Sequence, residues 1–314
     1  MGSFFTRRIL QLLLQAFLAA TVIFFLIRLV PGDPVRAILG ENATEEQVQV
    51  VRNQLGLNQP VYRQYVEYLG NVAQGDFGKS VISGRPVMTD IRLRLGNTLE
   101  LAIISVIVSI LVGIPLGIIA ALKANRAPDV ILSSGSALGL ALPGFVVGTV
   151  LLLVFSLKLG WLPLGRFVSF RDDPVQHIKL IILPVVTLSA SAIAVVMRMT
   201  RSSMLEVVRQ DYIRTARAKG LMERTVVLRH ALRNSINPVI SIIGLELAAL
   251  LGGTVIVETI FNWPGLSSLL ISGVRSRDYP VVQGTVLLIC ILTIVINLVV
   301  DVTYGLLDPR IRHG

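Results

Sequence analysis

Long apolar runs alternate with shorter polar segments along nearly the whole chain. Crossing a hydrocarbon core of about 30 Å takes roughly 20 apolar residues, at about 1.5 Å of rise per residue in an α-helix. The sequence therefore predicts an all-α membrane protein with six transmembrane helices: Ile9–Val30, Thr98–Leu122, Ile131–Lys158, Ile178–Val196, Ile236–Val257 and Val281–Val300.

The first apolar run follows Arg7 and Arg8, an arrangement that also occurs in signal peptides. At 22 residues the run is longer than a signal core, and Pro31-Gly32-Asp33-Pro34 follows it in place of a cleavage site made of small residues. We therefore expect this run to be a retained membrane span.

Residues 31–97 separate the first two spans and predict a small external helical cap. In Thr44-Glu45-Glu46-Gln47, the threonine hydroxyl can accept a backbone N–H three residues on while the glutamine reaches back, which is typical of a helix start. Pro60 suits the first turn of a second helix. Apolar side chains recur at helical spacing after each start: Val48, Val51 and Leu55, then Val61, Tyr65, Tyr68, Leu69 and Val72.

Composition supports lipid as the surrounding solvent. Hydrophobic residues make up 53% of the chain and charged residues 15%, with a mean hydropathy of +0.73. A soluble domain usually carries about 25% charged residues.

The net charge of +10 is concentrated between Arg198 and Arg233, where there are nine basic residues and three acidic ones. No nucleic-acid recognition module frames this charge, so no nucleic-acid partner is expected.

The distribution of basic residues predicts the orientation of the spans. Short cytoplasmic loops carry an excess of Lys and Arg. Basic residues precede the first span, lie between the second and third and between the fourth and fifth, and follow the sixth. If six spans alternate, all of these positions fall on one side, so both termini are expected on the cytoplasmic side of the membrane.

Glycine and proline are frequent in three of the spans. Small residues let helices approach closely, and helix breaks are tolerated where a neighbour or a cavity satisfies the backbone. Simple helix packing and a bundle of broken helices around a path therefore both remain open. The residues concerned are Gly113, Pro115, Gly117, Gly135, Gly139, Pro143, Gly144, Gly148, Gly244, Gly252 and Gly253.

The segment Ala73–Ser80 nearly matches a phosphate-binding loop, with Ala73 in place of the first glycine. Such a loop needs a preceding strand, a following helix and free backbone amides. Here the context is an external loop, and Asp76 would place negative charge in the cradle. We therefore expect any ATPase to be a separate chain.

Residues 199–235 predict an amphipathic element between the fourth and fifth spans. Leu205, Val208, Tyr212 and Ala216 fall at helical spacing, Gly220 interrupts the pattern, and Glu223–Leu232 indicates a second helical piece. From these residues alone, a helix on an anionic lipid surface and a docking element for a cytoplasmic partner are both possible.

Several segments together resemble the dipeptide, oligopeptide and nickel permease family of ABC importers. They occur in the expected order over nearly the whole chain: Leu29–Pro34, Gly75–Gly78, Met199–Glu206, Asp211–Leu221, His230–Asn234, Phe261–Leu266, Arg277–Gln283 and Asp308–Arg312. The general importer pattern, aligned on Gly220, matches at Ala216, Gly220 and Leu232. Its glutamate, isoleucine and proline are absent from the aligned positions, so the contacts of that glutamate are not carried over.

The resemblance implies a type I importer permease in which residues 199–235 form a cytoplasmic coupling loop that sits in a cleft of an ATPase subunit. The loop residues implied are Tyr212, Ala216, Arg217, Gly220, Leu221 and Leu232.

The implied partners are a second similar permease, two ATPases that bind ATP and Mg, and an external binding protein that is periplasmic or lipid-anchored. The implied division is an N-terminal transmembrane helix (1–30), the cap (31–97) and a five-helix core (98–314). This chain itself would hold no cofactor and break no covalent bond.

Ionisable residues inside spans are functional candidates because burying charge in lipid is costly. Glu246 lies midway along the fifth span, whereas Glu100 and Asp301 lie near span ends, where a structural role is expected. A place on the translocation path and a buried interhelical hydrogen bond both remain open for Glu246. A carboxylate on the path would suit either the amino group of a peptide or a metal cation.

Peptides, including dipeptides, oligopeptides and glutathione-like molecules, are the expected substrates, with nickel or a metal chelate as the alternative. His177, His230 and His313 are scattered and Cys290 is the one cysteine, so no metal-ligand cluster is predicted. An ion-coupled secondary transporter is a further alternative, but it would be expected to show internal repeats with paired broken helices. No such repeat is found in the sequence.

Overall fold

The computed structural model describes residues 2–29, 35–36, 43–54 and 57–307, and these are mostly helical. The segments 30–34 and 308–312, which contributed to the family resemblance, and Leu55 lie outside the described residues. In chain order the helices are α1 (Gly2–Arg28), α2 (Glu45–Gln54), α3 (Val61–Ala73), α4 (Val87–Leu122), α5 (Ala127–Ala141), α6 (Gly144–Leu151, followed by a π-helix over Leu152–Lys158), α7 (Pro174–Val208), α8 (Asp211–Ala218), α9 (Glu223–Ile260), α10 (Leu266–Arg275) and α11 (Tyr279–Leu307).

The predicted all-α membrane fold is confirmed, and each of the six predicted spans has a counterpart. Helices α1, α4, α7, α9 and α11 are each long and apolar enough to cross a membrane. The counterpart of the third predicted span is a bent pair, α5 and the helix Gly144–Lys158, which meet at an angle of 101°, as in a broken span or a re-entrant loop. Leu142 is extended at the break, since the residue before a proline, here Pro143, is disfavoured in the α conformation.

Several helices extend beyond the apolar runs that predicted them. α4 begins at Val87 and not at Thr98, and α7 continues to Val208 past the predicted end at Val196. Hydropathy marks only the part of a helix that suits lipid, whereas the backbone hydrogen bonds continue through polar residues. The short apolar helix α10 was not predicted.

The structure divides into two compact units. The first comprises residues 1–98 and 264–295. Within it α3 packs on α1, where the Phe24 ring lies 5.2 Å from that of Tyr65 and 5.3 Å from that of Tyr68. The start of α4 packs on α10 and α11 through Val87, Ile91, Leu266, Leu269 and Val281.

The predicted start of the first cap helix is also confirmed in this unit. The Thr44 amide donates to Gln47 Oε1 at 3.1 Å, and the Gln47 amide donates to Thr44 Oγ1 at 3.4 Å. Pro60 occupies the N-cap position of α3, immediately before the first turn in which it was expected. The division of the chain into an N-terminal span, a cap and a five-helix core stays a prediction.

The second unit comprises residues 99–263 and 296–314, and in it α7 packs against α5, α6 and α9. Close helix packing explains some of the glycines. A Cβ atom on Gly117 would lie 2.6 Å from Thr200 Cβ and 2.7 Å from the Met197 carbonyl oxygen. Gly113 and Gly244 are similarly enclosed, whereas a Cβ on Gly135, Gly144 or Gly252 would meet none of the described atoms within 4 Å.

Candidate functional site

The polar segment between α7 and α9 forms a short helix followed by a tight turn. α7 ends at Val208, and Gln210 is extended (φ −71°, ψ 147°) before α8 begins at Asp211. The single amphipathic helix predicted from Leu205 to Ala216 is therefore wrong, because the chain bends at Arg209 and Gln210. The apolar residues of that predicted helix still pack together, since Leu205 and Val208 contact the buried cluster that contains Ala216.

Gly220 turns the chain after α8 through a left-handed conformation, with φ +76°. The Gly220 amide donates to the Arg217 carbonyl at 2.9 Å, and the Leu221 amide donates to the Ala216 carbonyl at 3.4 Å. These two bonds are those of a Schellman motif, which usually places glycine at the left-handed residue. The positive φ accounts for a glycine at this position. Close backbone approach is not found, since a Cβ there would have no described atom within 4 Å.

An ion pair spans the same turn. Arg217 donates to the Glu223 carboxylate from Nη2 at 2.7 Å and from Nε at 3.1 Å. These hydrogen bonds raise the pKa of the Arg217 guanidinium, so it stays charged. Both side chains are exposed, and the pair adds little to stability. Its geometric effect is to hold the end of α8 against the start of α9.

Buried apolar side chains fix α8 to the two spans that flank it. Ile213 and Ala216 pack against Met204 of α7 and against Val226, Val227 and Ala231 of α9, with Ala121 and the half-buried Leu232 beside them. The exposed Tyr212 accepts a hydrogen bond from Asn234 Nδ2 at 3.0 Å. A displacement of α8 would therefore act on α7 and α9 together.

Two apolar side chains at the tip of the turn are exposed. Leu221 is 41% exposed and Met222 is 75% exposed. Adjacent exposed apolar side chains can contribute to a surface that contacts another protein. This arrangement suits a docking element better than it suits a helix lying flat on lipid, because the apolar face of α8 points inward.

The predicted second helical piece, Glu223–Leu232, is not a separate element. It runs without a break into the fifth span through a π-helical turn over Val226–Ala231. Single π turns of this kind often lie at functional sites. The turn leaves Leu228 exposed while Val226 and Val227 are buried.

Glu246 lies in α9, 14 residues beyond Leu232, which places it about 21 Å farther along the helix axis. It is half-buried, and the residues that the structure describes offer its carboxylate neither a hydrogen bond nor an ion pair. The interhelical hydrogen bond that sequence left open is therefore not formed within the described chain.

The segment that resembles a phosphate-binding loop has its own hydrogen bonds. Asp76 Oδ1 accepts the Gly78 amide at 2.8 Å, and Ser80 Oγ donates to Asp278 Oδ2 at 2.5 Å. Lys79 forms an isolated bridge with Pro86 and is not preceded by a strand in the described residues. The Gly78 amide and the Ser80 hydroxyl, which would have to bind phosphate, thus already donate hydrogen bonds to carboxylates of this chain.

Two polar pairs in the second unit were missed by sequence reasoning. Arg201 donates to both oxygens of the buried Asp129, at 2.6 and 2.8 Å, and so joins α7 to the start of α5. His177 lies with Nε2 3.0 Å from Glu100 Oε1 and is surrounded by the rings of three aromatic residues, Phe167, Phe170 and Trp263. The place of Asp129 directly before an apolar run could have marked it as a candidate. Its partner Arg201 could not be identified from sequence, because it lies 72 residues away.

Comparison with known proteins extends these observations. A family model described as "Binding-protein-dependent transport system inner membrane component" matches residues 113–313, and a second model for the N-terminal part of such membrane components matches residues 1–102. The glutathione transport system permease protein GsiC of Escherichia coli (strain K12) is 44% identical over 313 residues, covering 100% of both chains. The GsiC protein of Shigella flexneri serotype 5b (strain 8401) gives the same values.

Solved structures share the fold at lower identity. The inward-facing MetNI methionine ABC transporter aligns with a TM-score of 0.55 and 15% identity over 70% of this chain and 97% of that chain. An amino acid ABC transporter aligns with a TM-score of 0.54 and 16% identity over 69% and 94%. The two family models together match residues 1–102 and 113–313, which include the segment 199–235. The chain therefore belongs to the family of binding-protein-dependent transport system inner membrane components, the permease subunits of ABC importers.

Proposed function

We propose that this chain forms half of the path by which an ATP-driven importer takes up peptides of about the size of glutathione. The observation that carries the coupling mechanism is the turn at Gly220, where Leu221 and Met222 are exposed beside a helix fixed to two spans. Such a turn can enter the cleft of an ATPase and pass its movement to α7 and α9.

The proposed assembly contains a second similar permease, two ATPase subunits that hold ATP and Mg, and an external binding protein, periplasmic or lipid-anchored, that delivers the substrate. This chain supplies positioning and a path through the lipid, with no cofactor and no catalytic residue of its own. Both termini lie in the cytoplasm, because the basic loops then face inward.

The choice of peptide rests on the relatives, which are named for glutathione transport and match the chain over its full length. Glu246 does not separate the two substrates, since a half-buried carboxylate without a protein partner in the described chain can receive a peptide's ammonium group or a metal cation. Nickel or a metal chelate is the competing substrate, and an ion-coupled transporter the competing mechanism.

The test is uptake by the reconstituted complex. The chain, its partner permease and both ATPases are placed in proteoliposomes with the binding protein outside, and radiolabelled glutathione, a dipeptide and radioactive nickel are compared with and without ATP. We expect ATP-dependent accumulation of glutathione or dipeptide. Accumulation of nickel alone would make the metal the substrate, and accumulation that follows an ion gradient without ATP would exclude the importer mechanism.

A further inference from the structure

A polar cavity of about 390 Å³ lies within the first unit, at the cap end of α1 and α11. Its walls come from the last turn of α1, from α3, from the loop 76–78 and from the first turns of α11. Cavities of this size commonly hold small ligands. None of the functions proposed above uses it.

The level of the cavity relative to the membrane follows from the two spans that border it. Arg28 is the last residue of α1, and Gln283 lies in the second turn of α11. Apolar side chains of α1 just before it, such as Val22 and Phe25, are exposed, as expected for a helix in contact with lipid. A cavity where two spans leave the hydrocarbon lies at the level of the lipid head groups.

A cation is held rigidly at one wall. The Arg28 guanidinium donates from Nη2 to Gln64 Oε1 at 2.6 Å and from Nη1 to the Phe24 carbonyl at 3.0 Å. Its central carbon lies 3.4 Å from the centroid of the Phe24 ring. Arginine fixed in this way retains further N–H groups for phosphate, which it binds well.

Two carboxylates also line the cavity. Asp76 uses one oxygen to accept the Gly78 amide, and Glu67 has no hydrogen-bond or ion-pair partner in the described residues. One arginine against two carboxylates disfavours a purely anionic ligand. The Tyr68 hydroxyl is buried at the wall with no described partner, and burial raises the pKa of Tyr68 to about 12, so it keeps its proton.

We propose that this cavity binds the head group of a zwitterionic phospholipid with a primary ammonium, phosphatidylethanolamine, with Arg28 on the phosphate and Glu67 and Asp76 on the ammonium. Phosphatidylcholine fits less well, because its trimethylammonium has no N–H to donate to the carboxylates. Phosphatidylglycerol fits less well because it brings negative charge without a cation. The proposal does not depend on which solute is transported.

The test is native mass spectrometry of the full-length, delipidated chain, titrated with phosphatidylethanolamine, phosphatidylcholine and phosphatidylglycerol of identical acyl chains. We expect one tight phosphatidylethanolamine site that binds about tenfold more strongly than the other lipids, the effect of one charge-assisted hydrogen bond. Arg28→Gln should weaken this binding about tenfold, and Glu67→Gln should remove the preference over phosphatidylcholine. Arg63→Gln, on the exposed part of the same cap helix, is the matched control and should change neither.

The lipid comparison on the unaltered chain needs no variant, so a folding defect in Arg28→Gln cannot decide the result. Equal binding of the three lipids, or stronger binding of phosphatidylglycerol, would overturn the proposal. So would a site at which a short peptide, and no lipid, binds in a manner that depends on Arg28 and Glu67.

Discussion

At the scale of a single residue, Gly220 combines an unusual backbone geometry with the proposed coupling role. Its φ of +76° suits glycine, and a β-branched residue there would carry strain of roughly 1–3 kcal/mol. We expect Gly220→Val to insert and to pair with the second permease, yet to lose ATPase docking or the coupling of hydrolysis to uptake. Co-purification of the ATPase, substrate-stimulated hydrolysis and uptake are measured on one preparation.

Gly220→Asn is the control for this substitution, because asparagine tolerates the left-handed conformation better than other residues do. It should keep most of the activity, since the space around position 220 is open in the described chain. Normal docking, hydrolysis and uptake by the valine variant would show that the turn is not a coupling element.

Glu246 gives a second prediction at this scale. Glu246→Gln keeps the shape and hydrogen-bonding capacity of the side chain but removes its charge, so it should slow uptake of a substrate with a free ammonium group severalfold. Assembly with the partner subunits should be unchanged. Glu246→Leu is tested beside it by the same uptake assay, and a silent Gln variant with a damaging Leu variant would assign the residue a structural role.

At the scale of elements, the contact between α4 and α7 depends on the absence of side chains. A Cβ on Gly117 would lie 2.7 Å from the Met197 backbone oxygen, which cannot move without shifting α7. We expect Gly117→Ala to lower the free energy of unfolding by about 1–3 kcal/mol, the usual cost of overpacking, and to lower the thermal midpoint in detergent.

Gly135→Ala is the matched control within a helix of the same unit. No described atom lies within 4 Å of its added Cβ, and alanine favours the helix over glycine by about 1 kcal/mol. Its thermal midpoint should therefore stay equal or rise. Equal midpoints for Gly117→Ala and the unaltered chain would mean that α4 and α7 are not closely packed there.

Sequence reasoning succeeded for elements whose signal is local. The spans were predictable because lipid demands long apolar runs, and the start of α2 was predictable because its cap residues are three apart. The π turn at Val226–Ala231 was not, since it uses residues that suit an α-helix equally. The Asp129–Arg201 pair was not, because its partners meet only after α5 and α7 have packed.

At the scale of the whole molecule, the distribution of charge predicts which ends face the cytoplasm. In a variant without Cys290, a cysteine at the exposed Asn71 should react with a membrane-impermeant maleimide in intact cells, and one at the exposed Arg217 should not. Both should react after the cells are permeabilised, which controls for intrinsic reactivity. The reverse pattern in intact cells would invert the topology.

The π turn in α9 sets the direction in which the proposed coupling segment, residues 211–224, faces. A π turn holds one residue more than an α turn, and one residue corresponds to about 100° of rotation around a helix axis. Glu223 and Arg224 consequently face a direction that an uninterrupted α-helix would not give them. A relative that lacked one residue between 226 and 231 would keep the hydropathy of the span but present a different side of residues 211–224. In the assembly proposed above, the fit between permease and ATPase would then depend on helical phase as well as on surface composition.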